Sequence, residues 1–183
     1  MVDLSLHILD VASNAFKANA SCVQVTIEEN ENDIEIWIED DGCGMSREVL
    51  EQVTNPFFTS RKTRKVGLGI PLFIQTCEQT GGYVHIQSTV GVGTCIHAKM
   101  YTHHIDAIPL GDIAESIFVL VINPYQVDVH FKMKHKEKSC PVFEIDTQQI
   151  KEILEGIPLT EPSVMSWIKE YITAGLAGEL ENE

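Results

Sequence analysis

Apolar positions near the start of the chain recur with helical spacing. Leu4, Ile8, Val11 and Ala15 make one face, which predicts a helix over residues 4–18. Asp3, His7, Asp10, Asn14 and Lys17 repeat at the same interval as a polar stripe, while Leu6, Leu9 and Phe16 fill much of the remaining surface. A mostly apolar helix with a narrow polar stripe is expected to be buried, with the stripe turned toward something polar; the competing reading is a solvated stripe on a surface helix. The period then falls to two. Residues 22–27 and 34–38 alternate, which predicts a hairpin of half-buried strands. The second strand runs into the glycine turn "DDGCGM" (residues 40–45), and Ser46 is placed to cap a short helix reaching about Val53. Residues 70–79 read as a helix stopped by Gly81 and Gly82, and residues 83–88 and 94–100 as two further strands joined by "TVGVG".

The order α, β, β, α, loop, α, β, β predicts an α+β sandwich, one mostly antiparallel sheet with helices on one face. The pattern is interrupted at "YTHHIDAIP", which divides the chain into residues 1–101 and a smaller α+β region, 102–183. That region reads as a helix at about 110–121, a hairpin (127–133 and 142–145) and helices at about 147–154 and 161–175. Lys134 to Lys138 fall at the hairpin tip, where charge keeps strand edges soluble. Met100, Trp37 and Phe57-Phe58 read as core.

Composition narrows the choice of partner. An apolar content of 44% and a charged content of 22% fit a globular chain. No apolar run approaches the roughly 20 residues of a membrane span, and the first 20 residues lack the pattern of a signal peptide. The five cysteines are scattered and contain no CxxC pair, so reduced thiols and a cytoplasmic location are expected and a zinc site is not. The net charge is −14, which disfavours nucleic acid, since polyanion binding ordinarily needs a basic face. Against that background Arg61, Lys62, Arg64 and Lys65 form a concentrated basic loop directly before Gly67 and Gly69.

Taken singly, "DDGCG" is a turn, "GVGT" a hairpin link, and "GLG" lacks the ending of a P-loop. Together and in order, "LDVASNAFKA", "DDGCGM", "PFFTS" with "GLGI", and "GVGT" resemble the ATP-binding domain shared by sensor histidine kinases, DNA gyrase B, Hsp90 chaperones, MutL proteins and anti-sigma-factor kinases. The resemblance covers about residues 4–100 and is nearest to the histidine-kinase branch. It implies a two-layer α/β sandwich of the Bergerat type, with ATP and Mg²⁺ in a cleft between helices and sheet. It further implies Asn14 as Mg²⁺ ligand, and nucleotide contacts from Asn14, Lys17, Asp40, Gly42, Gly44, Arg61, Lys62, Gly67, Leu68, Gly69 and Thr94.

The chemistry of these residue types suits those roles. A carboxylate at Asp40 can accept from the adenine amine, at roughly 1.5–3 kcal/mol for a charge-assisted bond. Glycines at 42 and 44 let backbone approach a ring. Thr94 would add a hydroxyl, directly or through water, and Asn14 an amide oxygen suited to Mg²⁺. Residues 67–69 would offer amides and a helix N-terminus to phosphates. Where hydrolytic members of the resembled group carry glutamate, this chain has Asp10, the candidate catalytic base, about one methylene shorter in reach. Only three residues precede Leu4, so no phosphoaccepting helical hairpin is expected upstream. The expected function is therefore an ATP-dependent kinase acting in trans on a protein partner. The alternative is a nucleotide-dependent binding module or slow ATPase. Residues 102–183 are expected to dock a partner or to form a homodimer, and no membrane role is expected.

Overall fold

The computed structural model describes residues 3–54, 68–135 and 142–178. The first predicted helix is two: α1 (Leu4–Ala12) and α2 (Asn14–Lys17). Ser13 separates them, its hydroxyl donating to the Asp10 carbonyl at 3.0 Å, a competition with the helical ladder that bends helices. α2 then ends at Asn19, whose φ of 53° is the left-handed stop that asparagine tolerates.

The remaining elements follow the predicted order: β1 (Cys22–Glu29), β2 (Asp33–Asp40), α3 (Arg47–Val53), α4 (Gly69–Gln79), β3 (Tyr83–Thr89), β4 (Gly93–Tyr101), α5 (Ile113–Val121), β5 (Asp128–Lys134), β6 (Phe143–Asp146), α6 (Thr147–Ile153) and α7 (Pro162–Leu176). Side chains set the helix starts. Asp3 accepts from the Leu6 amide, Ser46 from Val49, Asp112 from Glu115 and Asp146 from Gln148, each satisfying an amide that the helix leaves unpaired.

Among the described residues the strands form one six-stranded sheet in the order β3-β4-β2-β1-β5-β6. All neighbours are antiparallel except β1 and β5, which pair in parallel from Cys22 opposite Asp128 to Glu28 opposite Lys134. Residues beyond 101 thus extend the sheet begun by residues before it, and both segments share one core. Alternation assigns the faces. Val23, Val25 and Ile27 of β1, Ile34, Ile36 and Ile38 of β2, Ile96, Ala98 and Met100 of β4, and Val129, Phe131 and Met133 of β5 are all buried. They meet Leu4, Ile8 and Val11 of α1, Phe73 of α4, Ile117 and Leu120 of α5, and Ile168 and Ile172 of α7. Each fully buried side chain of this size contributes about 1.5–3 kcal/mol of transfer free energy.

The other face corrects one expectation. Trp37 is not core: it falls at an outward position of β2 and stacks on His97 at 4.7 Å between centroids. Beside that pair, Glu35 lies 2.9 Å from His97 and 3.2 Å from Lys99. Met100, by contrast, is buried as expected, while Phe57 and Phe58 lie outside the described residues.

Candidate functional site

The inward row of β2 runs Ile34, Ile36, Ile38 and then Asp40, so the alternation that buries three isoleucines carries a carboxyl group to the end of the sheet. Its register partner is Thr94 on β4, and Thr94 in turn pairs with Ser88 on β3. Three adjacent strands therefore close their apolar rows with polar side chains at one place. Burial pushes the Asp40 carboxyl above its ordinary 3.8; the Gly42 amide opposes this, the neighbouring Asp41 adds to it, and the Thr94 amide again opposes it. Asp41 goes the other way. Partial burial works against its ionisation, but the Ser21 hydroxyl and the Cys22 and Ser21 amides outweigh that and hold it below the usual range. Asp41 ties β1 to β2, while Asp40 faces the helix layer.

The glycine turn after Asp40 is clamped from two sides. The Gly42 amide donates to Asp40 Oδ1 at 2.9 Å, and a Cβ on Gly42 would come within 2.7 Å of the Ala18 Cβ at the end of α2. The Cys43 amide donates to the Ala18 carbonyl, and the Gly91 amide donates to the Cys43 carbonyl, both at 2.8 Å. Gly44 has φ +63°, and a Cβ there would lie 2.0 Å from the Thr89 carbonyl oxygen, so this turn cannot take a side chain without moving. The Met45 amide donates to Ser88 Oγ at 2.8 Å. Residues 40–45 are thereby fixed between α2 and the β3–β4 turn.

A second contact joins α1 to the start of α4. The exposed Asp10 carboxyl group occupies the space where a Cβ of Gly69 would be, Oδ2 lying 2.0 Å from that point. Leu68, the N-cap of α4, is exposed, and Gly69 behind it is buried. Asn14, half-buried, and Lys17, exposed, lie on α2, in the chain between the Asp10 contact and the Ala18 contact. The expected residues thus gather into Asp40, Gly42, Gly44 and Thr94 at the sheet end, Asp10, Leu68 and Gly69 at the α4 start, and Asn14 and Lys17 on the segment linking them. Arg61, Lys62 and Gly67 lie outside the described residues.

Two residues that the sequence reading did not assign stand out. Ser88 binds Met45, Gly93 and Thr94 at once; the signal for it was a serine at the inward position of an alternating strand, after Val84 and Ile86. His7 is 1% exposed and wedged between α1 and α4, its ring stacked on Phe73 and its Nε2 3.2 Å from the Thr76 hydroxyl. Burial pushes its pKa below the ordinary 6.5. A shallow pocket of about 240 Å³ at this end of the sheet is lined by Asp40, Ser88 and Thr94 together with Glu39, Cys95 and Gln87, which are in register across β2, β4 and β3.

Such an arrangement can accept hydrogen bonds from a planar polar edge at Asp40 and Thr94. It can also present backbone amides at the α4 start to an anion, with a carboxylate, Asp10, beside them.

Comparison with known proteins bears on the same residues. The pattern of the family described as histidine kinase-, DNA gyrase B-, and HSP90-like ATPase matches residues 2–103. A sensor kinase CckA of Brucella abortus (strain 2308) is 41% identical over 58 residues, 31% of this chain and 6% of that protein. A putative sensor protein of Shewanella frigidimarina (strain NCIMB 400) is 32% identical over 92 residues, 50% of this chain and 14% of its own. The sensor protein SrrB of Staphylococcus aureus (strain NCTC 8325 / PS 47) is 32% identical over 99 residues, 51% of this chain and 17% of that one. The matched part is thus a small fraction of each relative. Among solved structures, the N-terminal domain of a DNA repair protein superposes with TM-score 0.50 at 12% identity, covering 80% of this chain and 52% of that one. That likeness concerns the fold alone, and its 80% coverage runs past residue 103 into the strands and helices that follow.

Proposed function

The chain belongs to the histidine kinase-, DNA gyrase B- and HSP90-like ATPase family, and from that premise we propose that it is a signalling protein that binds ATP with Mg²⁺ and transfers the γ-phosphoryl group to a protein partner in trans. The observation that carries the reading is the inward-facing carboxyl group of Asp40, joined to Thr94 across β2 and β4 and backed by a turn whose glycines leave no side chain in the way. Its acceptor chemistry suits an exocyclic amine, whereas a 6-oxo group would face it with a lone pair. The relatives named as sensor kinases and sensor proteins favour phosphoryl transfer in signalling.

In this reading the Leu68 and Gly69 amides and the N-terminus of α4 bind phosphate oxygens. Lys17 adds charge, and Asn14 would hold Mg²⁺, which supplies charge neutralisation at the phosphates. Transfer breaks the bond between the γ-phosphorus and the β–γ bridging oxygen, releasing ADP. A nucleophilic oxygen or nitrogen of the acceptor bonds to that phosphorus, and its proton passes to Asp10. The scattered thiols and the absence, among the described residues, of any helix long and apolar enough to cross a membrane are compatible with work in a reducing compartment.

A second reading has its own observation. Asp10 is a short acid packed against Gly69, which fits a domain that binds ATP to change its partner affinity and hydrolyses it slowly. One experiment separates the two. Wild type and Asp40→Asn are titrated with ATP, and the same samples are followed for phosphate release and for γ-³²P transfer to candidate partner proteins. Asp40→Asn is expected to weaken ATP binding by about 10- to 150-fold, the equivalent of one charge-assisted hydrogen bond. Labelled partner supports the kinase; ATP-dependent partner binding without label supports the binding module. Unchanged ATP affinity in Asp40→Asn would overturn both.

A further inference from the structure

The hydrogen-bond inventory around Ser88 has a single consistent solution. Ser88 Oγ has three neighbours: the Met45 amide at 2.8 Å, the Gly93 carbonyl at 3.1 Å and Thr94 Oγ1 at 2.9 Å. An amide can only donate and a carbonyl can only accept. Met45 therefore takes one lone pair of Ser88, and the one Ser88 proton goes to Gly93. The remaining contact is attractive only if Thr94 donates its own proton to Ser88. Were Ser88 to donate to Thr94 instead, Ser88 Oγ and the Gly93 carbonyl would meet as two acceptors.

Thr94 is left without a proton to offer elsewhere. We propose that Ser88 is a positioning residue for base selection: by taking the Thr94 proton it makes Thr94, like the Asp40 carboxylate beside it, an acceptor only, so that the site favours a purine bearing a 6-amino group over one bearing a 6-oxo group. The inference rests on the nucleotide-binding reading above and adds to it a second acceptor whose polarity is set from outside the contact surface. A 6-amino group offers two N–H donors, or one and a bridging water, to two acceptors. A 6-oxo group meets two oxygens and no donor.

The test compares affinities for ATP and inosine triphosphate, which share ribose and triphosphate, by equilibrium titration of the purified full chain. Wild type is expected to prefer ATP. Ser88→Ala frees the Thr94 hydroxyl to rotate and donate, and the preference is expected to fall about three- to tenfold, the scale of one neutral hydrogen bond. Ser88→Thr keeps the hydroxyl and is expected to restore it. Thr94→Val removes the second acceptor and should lower the preference by a similar factor. The double variant should lose no more than either single one, because the two side chains act as one unit. Thr94→Val also serves if Ser88→Ala does not fold. A purely structural role predicts that both affinities fall together with their ratio unchanged, and that result would overturn the inference. The same holds if Thr94→Val leaves the ratio intact. Failure of the wild-type protein to bind ATP at all would instead remove the functional reading on which it rests.

Discussion

At the scale of single residues, His7 shows how a position can be legible by type and hidden by context. Its place on the polar stripe with Asp10 and Asn14 points it toward polar surroundings, yet it is sealed between α1 and α4 against Phe73, with Nδ1 lacking a hydrogen-bond partner among the described residues. Helical spacing reports direction around one helix axis and nothing about the neighbour that fills that direction. Burial depresses the pKa of His7; Asp10 and Asp3 pull it up by less. The unfolded chain therefore binds the proton more readily than the folded one. The stability this neutral ring supports is complete above 6.5 and is lost as pH falls through the lower folded value, at about 1.4 kcal/mol for each unit of depression. His7→Phe keeps the stack on Phe73 and removes the proton. Its urea midpoint is expected to drop less than that of wild type between pH 7.5 and pH 5, and equal drops would show that His7 does not set the acid sensitivity.

At the scale of elements, most boundaries were legible because period and capping agreed: Ser46 before α3, Gly81 and Gly82 after α4, and alternation in β1 to β4. The exception was the break at Ser13, which depends on one hydroxyl bonding back to Asp10, and apolar spacing cannot register that. The break has a consequence for α1 and α4, because Asp10 sits in the last turn of α1 against Gly69. A Cβ at position 69 would strike the far end of an exposed, flexible carboxyl group, so Gly69→Ala is expected to fold and to displace Asp10 from the start of α4. If Asp10 is the base, Asp10→Asn should lower phosphoryl transfer about 100-fold or more, within the range for general-base loss, and leave ATP affinity within about threefold. Gly69→Ala should slow transfer through the same displacement. Adding it to Asp10→Asn should cost nothing further, since the group it moves is no longer a base. Rates that multiply in the double variant would place the two residues in separate roles.

At the scale of the whole molecule, the part least legible in the sequence was the relation between residues 1–101 and 102–183. Each strand announced its own face, but the partner of a β1 edge 106 residues away, Asp128 opposite Cys22, is a non-local choice that alternation does not encode. In the structure β5 pairs in parallel with β1, and the helix that carries Asp10 begins on carbonyls from the later segment, Leu4 donating to Pro109 at 2.9 Å and Ser5 to Leu110 at 2.8 Å. The helix layer that faces Asp40 and the later strands thus share a core, and they should unfold together. Phe131 on β5 is fully buried yet lies outside the residues matched by the family pattern. Phe131→Ala is expected to cost about 3–5 kcal/mol and to lower a single calorimetric transition without splitting it. ATP at 100 times its dissociation constant should return about 2.7 kcal/mol by linkage, and the gain in hydrogen-exchange protection should reach the β5 and β6 amides as well as those of β2 and β4. Two separable transitions, or protection that stops at β1, would mean that residues 102–183 fold as an independent unit; a single shared transition with protection extending to β6 would mean that changes at β5 and α5 reach the face that holds Asp40 through the sheet itself.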